Sequence, residues 1–311
     1  MNVKKVLYPT DFSRCSKQAL DEALYMASRL DAELFMLHAV VLHEADPNNP
    51  EHHFPEAAEL VRILSEMATT EMASLAAHPL GRDVVTHQTE QPGFSASEVV
   101  LDYAGEIDAD LIVMGTHGRW GPGRLFLGST AEETVRYARC PVLTVREQEE
   151  PQGLESIQSI LVPVDFSAHA KLGIEAAKSL AARTGARLQV LHVVELRAAP
   201  SLYDISVIED FTDHVRQHAA DALARLVEES PGPEVACDLH VVEGVAAHAI
   251  SEFAEEHESG LVVIPSHGLT GIERVLIGST AEGVIRLAPC PVLTVKPFGK
   301  NLLGSSPQEG N

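Results

Sequence analysis

Apolar residues in this chain follow two alternating rhythms. Short apolar runs at 6–9, 34–41, 111–114 and 142–145 read as strands, and residues 83–89 alternate in the manner of a half-buried strand. Between them lie stretches with apolar residues at helical spacing: SKQALDEALYMASRL (16–30), about 56–77, 96–104, and a run opening near Ser129. Five short strands separated by helical patterns predict a doubly wound α/β unit, a parallel sheet covered by helices on both faces. Its crossovers should be right-handed.

The pattern then repeats. VKKVLYPTDFS (3–13) returns as IQSILVPVDFS (157–167), and AELFMLHAV (32–40) as ARLQVLHVV (186–194). MGTHGRWGPGRLFLGST (114–130) returns as IPSHGLTGIERVLIGST (264–280), and CPVLTV occurs at 140–145 and 290–295. The offset is 154 residues for the first two blocks and 150 for the last two, so the second copy is four residues shorter in its middle. A period this long marks a duplicated domain rather than a solenoid unit of about 20–50 residues. The charged run REQEEPQGLES (146–156) reads as the boundary. The expected layout is a domain at 1–147, a linker at 148–156, a second domain at 157–298 and a flexible polar tail at 299–311.

Composition narrows the function. A net charge of −22 argues against a nucleic-acid partner, which needs a basic face. No apolar run reaches 18 residues and no leader pattern precedes the first strand, so the expectation is a cytoplasmic chain that does not enter a membrane. The four cysteines lack CxxC spacing and read as small buried residues rather than a disulfide frame or a zinc site.

The glycine-rich run carries the candidate chemistry. Five of the chain's 21 glycines fall between Gly115 and Gly128, directly after a buried-strand pattern. In an open parallel sheet, ligands sit beyond the carboxyl ends of the strands. Gly115 would let a ligand approach the backbone; Gly118, Gly121 and Gly123 permit positive φ; Gly128–Ser129–Thr130 opens a helix whose free amides favour anions. Arg119 and Arg124 add local charge. Such loops also serve as plain tight turns, and Ser or Thr before a helix as a plain cap. The run is neither a Walker A loop nor GxGxxG.

These residues resemble the universal stress protein family. Its ATP-binding members carry G-x2-G-x9-G-S/T after the fourth strand, matched by Gly115, Gly118, Gly128 and Ser129. Pro9-Thr10-Asp11-Phe12-Ser13, Leu37-His38-Ala39 and Cys140-Pro141-Val142 match the family's other motifs, and both halves carry the set. The resemblance implies a five-stranded sheet of order 3-2-1-4-5 and an ATP site with accompanying Mg2+. In that site Asp11 and Ala39 line the adenine pocket, Pro9 and Gly115 border the ribose, and Gly118, Gly128, Ser129 and Thr130 hold the phosphates; Thr10 and Met114 flank them. It implies pairing through the fifth strand, in a homo-oligomer or an intramolecular pseudo-dimer.

A second site would comprise Asp165, Val193, Gly268, Gly278, Ser279 and Thr280, but Pro265 stands where the first copy has Gly115. Proline removes an amide and fixes φ, which predicts weaker, different or no nucleotide binding there. His38 and His192 are expected as hydrogen-bonded core residues, His117 and His267 as loop-fixing or phosphate-facing groups. His43, His52 and His53 have no ligand-like context, and no protein-held metal is expected. Trp120 fits either a lid or an interface.

Three functions stay open: an ATP-dependent stress sensor or regulator with at most slow hydrolysis, a non-nucleotide adaptor, and a slow phosphatase or phosphotransferase. The first is favoured. The loop carries no carboxylate of its own to act as base, so no catalytic residue is assigned.

Overall fold

The computed structural model describes residues 2–41, 57–118, 127–149, 153–195, 205–267, 277–300 and 302. Of residues 57–61, 64 and 205–213 it describes the backbone alone. His43, His52, His53, Arg119, Trp120, Gly121, Gly123, Arg124, Gly268 and nearly all of the tail lie outside the described residues.

The chain divides into two compact units, Met1–Pro151 and Gln152–Asn311. The first contains β1 (Lys5–Pro9), α1 (Arg14–Leu30), β2 (Glu33–Val41), α2 (Ala57–Ala76), β3 (Thr86–Gly93), α3 (Ala96–Glu106), β4 (Leu111–Gly115), α4 (Ser129–Tyr137) and β5 (Val142–Val145). The second repeats the series as β6 (Ser159–Val164), α5 (Ala170–Thr184), β7 (Arg187–Val194), α6 (Ile205–Glu229), β8 (Cys237–Glu243), α7 (Ala246–Glu256), β9 (Leu261–Pro265), α8 (Ser279–Leu287) and β10 (Val292–Val295).

Within the first unit the strands pair in parallel in the order β3-β2-β1-β4-β5, the expected 3-2-1-4-5. The second unit has the same order, β8-β7-β6-β9-β10. The central strands are covered on both faces: Val6, Leu7, Tyr8 and Leu111 to Val113 are fully buried. That is why they read as unbroken apolar runs rather than alternations.

Local signals set the helix ends. Ser13 caps α1, accepting the Ser16 amide at 3.2 Å. Asp31 ends α1 in the left-handed region (φ 54°), where Gly185 ends α5 (φ 77°). Asparagine, aspartate and above all glycine tolerate that conformation.

The third strand differs from the expected 83–89. It begins at Thr86 and runs to Gly93, with register Leu34↔Thr86 to Val41↔Gly93. Val84 and Val85 supplied the misleading apolar signal. Val84 is buried from the preceding turn, and Val85 is 61% exposed. β3 is the edge strand, so its limits follow the longer β2 rather than its own weak alternation, and an edge tolerates Pro92.

The run read as a linker is anchored at its start. Gln148 exchanges hydrogen bonds with the Gln18 side chain at 2.7 and 2.9 Å, and Leu154, farther along, is buried. Leu302, within the predicted tail, is also buried. No helix among the described residues is long and apolar enough to cross a membrane. Cys15, Cys140 and Cys290 are buried free thiols, and Cys237 is a half-buried one.

Candidate functional site

β1 and β4 lie side by side, and the sheet order reverses between them. Connections leaving their carboxyl ends diverge, which opens a crevice at that point. A cleft of about 600 Å³ occupies it, a size that suits a small-molecule ligand. All ten first-unit positions singled out in the sequence line this cleft: Pro9, Thr10, Asp11, Ala39, Met114, Gly115, Gly118, Gly128, Ser129 and Thr130.

The turn after β1 is built from short-range bonds. Asp11 Oδ1 accepts the Ser13 amide at 3.0 Å, and Thr10 Oγ1 accepts the Phe12 amide at 3.0 Å. Between them Phe12 adopts φ 63°, a left-handed conformation that costs a phenylalanine roughly 1–2 kcal/mol. Its ring tilts against His38, with centroids 4.5 Å apart. His38 Nδ1 donates to the Thr10 carbonyl at 2.8 Å, which fixes the tautomer and gives His38 the structural role expected. The second unit reproduces the device: Asp165 accepts Ser167 N at 3.0 Å, Phe166 has φ 59°, and His192 Nδ1 donates to Val164 O at 2.8 Å.

The glycines act differently from expectation. Gly118 does not have a positive φ, and Gly128 sits at φ −65°, ψ 145°, open to any residue. What both provide is room. A Cβ on Gly118 would stand 2.8 Å from Asp11 Oδ2; one on Gly128 would stand 3.1 Å from the Thr116 carbonyl oxygen. Gly115 was expected to admit a ligand to the backbone. Its missing side chain instead makes room for α1: a Cβ there would lie 2.9 Å from Cys15 Sγ and 3.2 Å from Cys15 C and Ser16 N. The glycine permits close strand–helix packing behind the cleft.

Thr116 and Gly128 close the loop between them. Thr116 N donates to Val145 O at 2.9 Å, and Thr116 O accepts Gly128 N at 2.9 Å. Gly128 is the N-cap of α4 and, as a glycine, offers no side-chain cap of its own. The first intrahelical bond is Glu132 N to Gly128 O at 2.9 Å, so the amides of Ser129, Thr130 and Ala131 precede it. All three residues line the cleft. The N-terminal turn of α4 therefore borders the cleft, and the positive end of a helix dipole at such a place favours anions.

Among the described residues the lining contains no lysine or arginine, and its acid–base side chains are Asp11 and His117. Burial, with Arg146 nearby, holds the His117 imidazole below the usual histidine range, so it is neutral at pH 7. Its Nδ1 bonds Thr116 Oγ1 at 2.9 Å, and its buried Nε2 has no hydrogen-bond partner among the described residues. The lining also has an apolar part, made up of Leu37, Val41, Val100, Met114 and Leu127. Sequence reading missed Val41, Ala96, Val100 and Leu127, because aliphatic residues on helices and strands look like core. The i, i+4 spacing of Ala96 and Val100 on the helix after β3 was the available signal.

In the second unit, Asp165 follows β6, Val193 lies on β7, and Ser279 and Thr280 open α8 behind the N-cap Gly278 (φ −62°, ψ 139°). Gly278 N donates to Ser266 O at 2.8 Å, as in the first unit. Pro265 ends β9, yet Ser266 N still reaches Val295 O at 2.9 Å, so the pairing beyond the proline is kept. The proline ring rests over Gly173: a Cβ there would meet Pro265 Cδ at 3.3 Å. The first unit has Ala19 at the position of Gly173. Where the first unit has Gly115 and Ala19, the second has Pro265 and Gly173, and the missing side chain of Gly173 leaves room for the proline ring.

Among the described residues, no cluster of three or more His, Cys, Asp or Glu side chains is placed to hold a metal ion.

A family model described as the universal stress protein family matches residues 2–146 and again 156–296. A universal stress protein of Mycolicibacterium smegmatis is 27% identical over 295 residues, covering 94% of this chain and 97% of the relative. One of Methanocaldococcus jannaschii is 34% identical over 144 residues, 46% of this chain and 82% of the relative. The crystal structure of a universal stress protein from Archaeoglobus fulgidus covers 95% of this chain and 99% of its own, with a TM-score of 0.68 at 20% identity, a likeness of fold.

Proposed function

This chain is a tandem member of the universal stress protein family, and on that premise we propose that its first unit binds an adenine nucleotide, ATP, as a sensor or regulator in stress. The observation that carries the proposal is the start of α4, where Ser129, Thr130 and Ala131 line a cleft together with Leu37, Val41, Val100, Met114 and Leu127. Phosphate oxygens suit the amides, and a flat base suits the apolar part. Asp11, held by the Ser13 amide, stands by the base and ribose; Gly118, Gly128, Ser129 and Thr130 hold the phosphates.

The donor set fits magnesium only as a passenger of the triphosphate. One carboxylate, Asp11, lines the cleft, so the ion would rest on phosphate oxygens with a hydroxyl of Ser129 or Thr130. Hydrolysis is slow in this reading: among the described lining residues Asp11 is the one carboxylate, its Oδ1 already accepts the Ser13 amide, and no lysine or arginine stands there to stabilise developing charge. Occupancy, rather than turnover, is the signal.

The second unit binds nucleotide more weakly or serves as an adaptor. Pro265 in place of Gly115 motivates this division. Isothermal titration of ATP with Mg2+ into the full chain tests both parts. One strong site per chain, matched by nucleotide copurifying with the protein, supports the reading. Two equal sites overturn the division, and no binding at millimolar ATP overturns the function.

A further inference from the structure

Helix α6 of the second unit carries a pair of side chains that the nucleotide cleft does not use. His214 and His218 are four residues apart and project from one face of the helix, both exposed. Their Nε2 atoms stand 3.0 Å apart, with ring centroids 4.4 Å apart and the rings at 80°. Two neutral imidazoles converging through the same atom can share a proton or close on a common cation.

We propose that His214 and His218 form a bidentate site for a divalent late first-row transition ion of the Ni(II) or Cu(II) type. Imidazole nitrogens bind such ions at about 2.0–2.1 Å, so a 3.0 Å separation gives an angle of about 94° at the metal. That is the cis angle of square-planar or octahedral coordination. A tetrahedral ion asks for a separation of about 3.3 Å. Both ligands lie on one turn of a continuous helix, so binding orders no loop. On the same helix, Asp221 accepts a hydrogen bond from Gln217 at 3.1 Å, and Arg216 has its charge paired by Glu243 at 2.6 Å. The chain's net charge of −22 draws cations, and water completes the coordination sphere. Helix α2, the counterpart in the first unit, contains no histidine, so the pair is not repeated there.

The test is a titration of Ni(II) into the full chain in a non-chelating buffer, followed by calorimetry. Wild type should show one saturable site per chain. His214→Gln and His218→Gln should each weaken it at least tenfold, with unchanged far-UV circular dichroism. The double variant H52Q/H53Q, in the other histidine-containing run, should leave it in place. One equivalent of Cu(II) should give an electron paramagnetic resonance spectrum with coupling to two nitrogens, lost in either single variant. No saturable Ni(II) site in wild type, retention of full affinity in both single variants, or loss in H52Q/H53Q would each overturn the proposal.

Discussion

Replacing Gly128 by valine probes the anion end of the cleft most directly. The backbone there, φ −65° and ψ 145°, is open to valine, so strain is not the cause of any effect. Crowding is: the new Cβ would lie 3.1 Å from Thr116 O and 3.7 Å from His117 Cα, and two methyl groups would extend beyond it. Thr116 O is also the acceptor for Gly128 N at 2.9 Å, so relief of the clash stretches that bond, worth about 1 kcal/mol. Valine is also a poor N-cap, at a cost of about 1 kcal/mol. Stability should therefore fall by about 2 kcal/mol, leaving the chain folded. The helix start moves with the clash. A hydrogen bond to a charged group contributes about 1.5–3 kcal/mol. Misaligning one or two of the three amides should raise the Kd for ATP about 100-fold, or 2.7 kcal/mol. Calorimetric titration of ATP with Mg2+, alongside a thermal melt, reads both quantities. Gly278→Val, at the matching cap in the second unit, should leave the strong site unchanged. A folded Gly128→Val protein with ATP affinity within twofold of wild type would refute the reasoning.

Three further outcomes follow from the same geometry. Gly118→Ala sets a methyl 2.8 Å from Asp11 Oδ2, so the carboxylate must swing away; ATP affinity should drop about tenfold without unfolding, and an unchanged titration would remove Asp11 from the site. Exchanging Pro265→Gly and Gly173→Ala together rebuilds the first unit's pairing, so urea melts should show the double variant more stable than the summed single effects by at least about 0.5 kcal/mol; strict additivity would deny the coupling. His117 is held below its ordinary value near 6.5 by burial, so the unfolded chain binds the extra proton. The resulting penalty is absent above pH 6.5 and grows as pH falls through that value. His117→Gln should flatten this part of the stability curve between pH 7.5 and 5; identical curves would show that the depressed imidazole contributes nothing. His240, lowered in the same direction by burial and His257, supplies the remaining histidine slope in wild type and variant alike.

What could be read from the chain divides by the range of the interaction. Buried parallel strands announce themselves through composition, so β1, β4 and β5 and their copies were visible. β3 slipped by about three residues because an edge strand takes its limits from its partner, and nothing in residues 83–93 encodes Leu34. All ten cleft positions were legible through the family resemblance and its motifs, but the reason for the glycines was not. Cys15 and Gly115 are 100 residues apart, and only coordinates show that one leaves space for the other. Pro265 looked like damage to a site; Gly173, 92 positions earlier, turns it into a compensated packing change. The His214–His218 spacing stood in plain view on a helical pattern. No motif surrounds it, and an i, i+4 histidine pair on an exposed helix face looks like any solvated polar pair.

Because α4 starts at a glycine, with no side chain of its own to complete it, whatever anion settles on its amides finishes the helix itself. Folding and loading then become one equilibrium. At a hundredfold excess over its Kd such a ligand adds about 2.7 kcal/mol to the native state. If the supply of such an anion collapsed, the protein would lose that reinforcement and become easier prey for proteases, so its abundance would track the concentration of whatever ligand the helix start took up.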